Sequence, residues 1–128
     1  VPVGGGPIEV LLTADREMQS YSLSPDGMQA GFVASKNQAP SDLYLAALDG
    51  SCEHRLTEVN GEWLASKTLG EANDLWFESI DGTPIHGWIV KPPDFSPTEQ
   101  YPLILSIHGG PHVMWSRHEP TMWHEWQV

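Results

Sequence analysis

A chain of 128 residues is long enough for one domain that buries roughly two-thirds of its unfolded surface, and 40% hydrophobic content fits a globular protein. Seventeen Asp and Glu against six Lys and Arg leave a net charge of −11, which argues against a nucleic-acid or anionic-membrane surface, since both need clustered cations. The single cysteine, Cys52, rules out an intrachain disulfide and a Cys-rich zinc site, and no apolar run reaches the ~18 residues of a membrane-spanning helix.

The N-terminal Val1-Pro2-Val3-Gly4-Gly5-Gly6-Pro7 has no initiator Met, no basic stretch and no long apolar core. It reads as the interior of a longer chain rather than a signal peptide, and a targeting segment would lie upstream of residue 1. Cytoplasmic and exported locations both stay open. Residues 8–57 alternate short β-type runs with turn signals, predicting strands at 8–13, 18–23, 28–34 and 43–48, with a shorter one at 54–57. Ser24-Pro25-Asp26-Gly27 reads as a hairpin turn: Pro fixes φ, Asp bonds the backbone ahead of it and Gly takes the positive φ. Asp49-Gly50-Ser51 gives a second such signal. Four strands in up-and-down order over about forty residues make one meander, the size of a single propeller blade, although any antiparallel sheet would show the same pattern.

Residues 58–74 are polar and broken by Gly, as in a linker. Strands follow at 75–80 and 85–90 around Asp81-Gly82, and Lys91-Pro92-Pro93 ends the second because consecutive prolines cannot donate to a ladder. The continuous apolar run at 101–107 predicts a third strand, buried on both faces. It drives into His108-Gly109-Gly110-Pro111, a loop whose backbone must approach something closely.

Two regions carry a family resemblance. "SLSPDGMQAGFVAS", "SDLYLAALDG" and "HRLTEVN" resemble the blade repeat of the prolyl oligopeptidase family propeller. "ESIDGTPIHGWIVKPPDFSPTEQYPLILSIHGGPHVMW" resembles the opening of that family's α/β-hydrolase domain, most closely in its acylaminoacyl-peptidase and dipeptidyl-peptidase-type bacterial members. The fold class this implies is mixed and mostly β here: the C-terminal blade of a β-propeller, then the N-terminal strands of an α/β-hydrolase. The domain division is 1–68 for blade and linker and 69–128 for the truncated start of the catalytic domain.

The resemblance implies a serine peptidase that cleaves short peptides with a Ser-Asp-His triad. In an α/β-hydrolase an HGG-type loop supplies one backbone N–H of the oxyanion hole. By resemblance Gly110 presents that N–H, Gly109 allows the turn, and His108 and Pro111 shape the loop. No serine of the chain has Gly both two before and two after it, so no nucleophile elbow is present. The triad is expected beyond Val128, and the piece alone is expected to be inactive. No metal or organic cofactor is implied; the partner is a peptide substrate, not a nucleic acid, and oligomerisation of the parent stays open. Two other readings remain: a non-catalytic peptide-binding remnant, and an esterase of the same fold.

Four histidines cluster as His108, His112, His118 and His124, but both His-Glu pairs fail the His-Glu-x-x-His pattern. They read as loop or surface residues rather than metal ligands. Trp115, Trp123 and Trp126 read either as a pocket wall or as the packing of a first hydrolase helix at 121–128, capped by Thr121, which buries Trp123 and Trp126 against the sheet. The second reading is favoured. Cys52, placed in a strand, reads as packing.

Overall fold

The structure, a computed structural model, describes residues 4–110 and 112–128. Four antiparallel strands follow one another in space as in sequence: β1 (Glu17–Leu23), β2 (Gln29–Lys36), β3 (Ala39–Ala47) and the two-residue β4 (His54–Arg55). The predicted meander is therefore formed. At its first turn Gly27 has φ 68°, its N–H donates to Ser24 O at 2.9 Å, and Asp26 Oδ1 accepts the Met28 N–H at 3.0 Å. The second repeats the device, with Gly50 at φ 79° and Asp49 accepting the Ser51 N–H at 2.8 Å.

The core lies on one face of this sheet. Period-two alternation puts Ala30, Phe32 and Ala34 of β2 on the same side, and all three are buried with Ala46 of β3. Their register partners on β3 are Ala46, Tyr44 and Asp42. Phe32 is 1% exposed, and its ring stacks on Tyr44 with centroids 5.5 Å apart. Burying such a side chain contributes about 2–3 kcal/mol, and the aromatic pair about 1 kcal/mol more. The Arg16 guanidinium lies over the same ring at 4.6 Å and pairs with Glu53 at 2.7 Å.

Residues 8–13 form no strand, contrary to expectation. Leu12 packs on the Phe32 face of the sheet. Ile8 and Val10 stay exposed, and no described strand pairs with this segment. The linker holds an unforeseen helical turn, α1 (Gly61–Ala65).

The 69–128 half opens with a separate hairpin, β5 (Ala72–Glu78) paired with β6 (Pro84–Val90). Gly82 at φ 80° closes it, and Asp81 accepts the Thr83 N–H at 3.0 Å. Strand β6 stops at Val90, directly before the two prolines. The third strand expected at 101–107 is not formed: Leu103, Ile104, Leu105 and Ile107 are exposed, Ile104 at 91%. An apolar run suited to burial on both faces needs neighbouring strands, and no described residue pairs with it. The chain ends in a 3₁₀ turn, Pro120–Met122, running into α2 (Trp123–Gln127). No described helix is long and apolar enough to cross a membrane.

Candidate active-site loop and its anchorage

The backbone after residue 107 turns at Gly110, whose φ of 84° lies in the left-handed region that glycine tolerates best. The turn is closed by the Val113 N–H donating to Gly110 O at 3.0 Å. A Cβ on Gly110 would come within 3.3 Å of Val113 Cγ2, whereas one on Gly109 would meet nothing within 4 Å. Among the described residues no hydrogen bond engages the N–H of Gly109 or Gly110. His108 Nδ1 donates to Gly109 O at 3.0 Å, and its ring stacks on Trp115 at 5.0 Å. Pro111 lies outside the described residues.

Eight residues after Gly110 the chain meets the four-stranded sheet. His118, read from sequence as a loop or surface histidine, is only 7% exposed. Its Nε2–H donates to Asp15 Oδ1 at 2.8 Å, and its Nδ1 accepts the Asn37 N–H at 2.8 Å. Because a backbone N–H can only donate, Nδ1 is unprotonated and the proton sits on Nε2. The His118 carbonyl accepts from the buried Ser35 hydroxyl at 2.6 Å. Ser116 Oγ accepts the His118 N–H at 3.1 Å and donates to Glu17 at 2.6 Å.

Ser116, His118 and Asp15 have the residue types of a hydrolase triad but not its chemistry. A general base needs one ring nitrogen facing the nucleophile and the other facing the carboxylate. Here the second nitrogen is taken by Asn37, and Ser116 binds the backbone of His118 rather than its ring.

Arg117 joins the same cluster, donating to Asp15 Oδ2 at 2.7 Å and lying 3.9 Å from Asp74. The hydrogen bond from His118, and then that from Arg117, lower the Asp15 carboxyl from 3.8 to about 2. Asp15 in turn raises Arg117 above its ordinary value. Asp74 is held low chiefly by His86, which it meets at 2.8 Å. An open cleft of about 370 Å³ runs between these groups, lined by Asp15, Asp74, His86, Trp88, Arg117 and His118 among others. Its two carboxylates are already matched by Arg117, His118 and His86. Among the described residues no three of His, Cys, Asp and Glu form a group that could hold a metal.

The terminal helix docks differently from the sequence reading. Trp123 is buried at 8% exposure, with the β2–β3 turn and α1 as its partners. Its indole N–H donates to Asn37 O at 3.0 Å, and its ring meets Trp63 edge-on at 5.9 Å. Trp126 is only half-buried and faces Trp115 at 6.2 Å. The cap is Glu119, whose carboxylate accepts the Thr121 N–H at 3.1 Å. Gln127 clasps the backbone of Gly70, donating to its carbonyl and accepting from its N–H, both at 2.9 Å. Cys52 is neither in a strand nor packed; it is exposed, with φ 53°.

Asp15, Asn37, Gly70, Arg117 and Gln127 were not singled out from sequence. Their partners lie 57 to 103 positions away, beyond the reach of any period or turn signal. The one local trace was the density of polar residues at 116–119 beside an otherwise apolar segment.

No protein-family model matches the chain. The chain is 38% identical over 113 residues to the uncharacterized peptidase YuxL of Bacillus subtilis, covering 87% of this chain and 16% of that protein. It is 36% identical over 75 residues to dipeptidyl-peptidase 5 of Schizosaccharomyces pombe, covering 52% and 11%. With dipeptidyl-peptidase 5 of Porphyromonas gingivalis it shares 28% identity over 106 residues, covering 83% and 15%. The chain thus spans about a sixth or less of the length of these relatives. Each of these relatives is named as a peptidase, and each is matched over only a small part of its own length.

Proposed function

We propose that the chain is part of a serine peptidase of the prolyl oligopeptidase family, comprising one propeller blade and the entry to the α/β-hydrolase domain, and that the whole protein cleaves short peptides. The observation that carries this reading is the 38% identity to a peptidase over 87% of the chain, an alignment broad enough to include both halves. The names of the two dipeptidyl-peptidase relatives point to removal of dipeptides as the first activity to test. The Gly110 geometry is consistent with the same reading.

In the proposed reaction a serine outside these residues attacks the scissile carbonyl and gives its proton to a histidine, itself oriented by an aspartate. The carbonyl oxygen becomes an oxyanion held by the Gly110 N–H and a second donor. The imidazolium then protonates the departing amine, and water repeats the sequence on the acyl-enzyme. Gly110 suits the role because its N–H is free of described partners and its left-handed φ turns the backbone without a Cβ in the way. No Gly-x-Ser-x-Gly elbow occurs among the 128 residues.

The test is a serine-directed fluorophosphonate, together with dipeptidyl and acyl-aminoacyl nitroanilides, applied to the full-length protein. Labelling of one serine outside these 128 residues, with turnover of at least one substrate, is expected. Absence of both, or a label on a serine within the chain, would overturn the proposal.

A further inference from the structure

We infer that residues 116–118 form a latch fixing the His108–Gly110 loop to the four-stranded sheet, with His118 as the positioning residue; this rests on the peptidase reading above. The observation is a continuous set of contacts with two ends. At the sheet end, the side chain and backbone of His118 make four hydrogen bonds. Three go directly to Asp15, Ser35 and Asn37 at 2.6 to 2.8 Å, and the fourth runs through Ser116 to Glu17. At the loop end, Trp115, three residues earlier, stacks on His108, which bonds the carbonyl of Gly109. Only Ser116 and Arg117 separate the two ends, so a shift of His118 is passed to Trp115 and on to the loop.

The chemistry explains why the latch would matter. Catalytic donors must be held to within roughly 0.5 Å, and a misplacement of about 1 Å costs up to about 100-fold in rate. Yet the described loop has few ties of its own: the Gly110–Val113 turn and the His108 stack. The run leading into it is exposed and unpaired among the described residues. The sheet is the firm body within reach, and His118 is the residue buried in its surface. The neutral Nε2–H form is the only one that bonds Asn37 and Asp15 together, so the site selects an imidazole over the other side chains. An oxyanion donor acts on the transition state, so loosening it lowers kcat rather than raising KM.

The experiment uses the full-length protein and its His118→Ala, His118→Asn and Asp15→Ala variants, with Thr57→Val as a destabilised control distant from the latch. Steady-state kinetics and amide exchange across residues 108–119 are both read. For His118→Ala, kcat is expected to fall about tenfold with KM within about twofold, and exchange at Val113, His118 and Glu119 to rise. His118→Asn, whose side-chain oxygen can accept the Asn37 N–H, is expected to recover part of kcat. Asp15→Ala, at an exposed position, loosens the latch without a core defect and carries the test if His118→Ala does not fold. Unchanged exchange in the variants, or a kcat loss in Thr57→Val matching that in His118→Ala, would overturn the latch. A wild-type protein that neither takes the serine label nor cleaves peptides would overturn the peptidase reading instead, and exchange alone would then decide the latch.

Discussion

Replacement of Asp42 by Ala is expected to open the β3–β4 edge while leaving β1–β2 intact. Strand β4 has only two register pairs, Tyr44 with Arg55 and Leu45 with His54, too few to hold an edge alone. One further backbone bond, Leu56 N–H to Leu43 O at 2.7 Å, extends the pairing, and Asp42, 5% exposed, ties the edge from its side chain. Its Oδ1 accepts from Thr57 Oγ1 at 2.7 Å and from the Val59 N–H at 3.1 Å, and its Oδ2 accepts from Arg55 Nε at 3.0 Å and from a second Arg55 nitrogen. Thr57 Oγ1 in turn accepts the Leu43 N–H at 2.9 Å. Burial alone would raise the Asp42 carboxyl, but the bonds from Thr57, Val59 and Arg55 outweigh it and hold the group below its ordinary value. Removing one member of a buried, hydrogen-bonded pair costs about 3–5 kcal/mol. Arg55 remains partly solvated, with 35% of its side chain exposed, so the lower end applies. At about 1.4 kcal/mol per decade, 3 kcal/mol is roughly a hundredfold in local opening. Amide exchange in the protein carrying this chain reads it directly: Leu43, Leu56 and Val59 should exchange roughly a hundredfold faster. Asp42→Asn keeps one acceptor oxygen but turns an NH₂ toward Arg55, and should cost about 1–3 kcal/mol. Unchanged protection at these three amides, or an equal loss at Tyr21 and Phe32, would show that Asp42 is not what holds this edge.

Gly110→Ala should cost about 1–2 kcal/mol for a left-handed non-glycine residue, besides crowding Val113. On the proposed peptidase reading it should lower kcat of the full-length protein by up to about 100-fold, because the backbone N–H is retained but displaced; steady-state kinetics that match wild type would refute its role. Gly109→Ala, with open space and an ordinary φ, should shift thermal stability by less than about 0.5 kcal/mol. Gly70→Ala places a Cβ 2.7 Å from Lys91 O and from Val90 Cγ1, and should destabilise by about 1–3 kcal/mol in urea titration; no change would mean that the Val90–Lys91 segment yields to the added methyl without cost. Because the folded-state pKa of Asp15 is depressed, the stability contributed by its pairing with Arg117 is fully present above 3.8 and is lost as the pH falls from 3.8 towards 2. Urea titration at about pH 4 and about pH 2.5 should show a loss of stability across that window that is smaller in Asp15→Asn.

What the sequence disclosed was local. All three Asp-Gly turns form, because each needs only a glycine at positive φ and an aspartate accepting an N–H two residues on, at Met28, Ser51 and Thr83. The strands expected at 8–13 and 101–107 have β-type residues but pair with no described strand, and pairing is a property of two segments rather than one. The turn between β2 and β3 went unread because Asn37-Gln38 has neither Gly nor Pro. Its Asn37 is bonded instead by His118, Trp123 and Gln127, all more than 80 residues later. In the candidate site, likewise, Gly110 was legible as a glycine in a recognisable loop, whereas the anchorage of that loop was not.

The blade strings show how a distant contact can still leave a mark in sequence. "DLY" and "LT" were read as repeat signatures without a physical reason. In the structure they form one hydrogen-bonded unit, in which Asp42 accepts from Thr57 while Thr57 accepts the N–H of Leu43. The two segments close one edge together, and losing either residue leaves a buried polar group unmatched at about 1–3 kcal/mol. The His118 contacts instead join residues 81 to 103 positions apart, a separation over which no turn or period signal reaches.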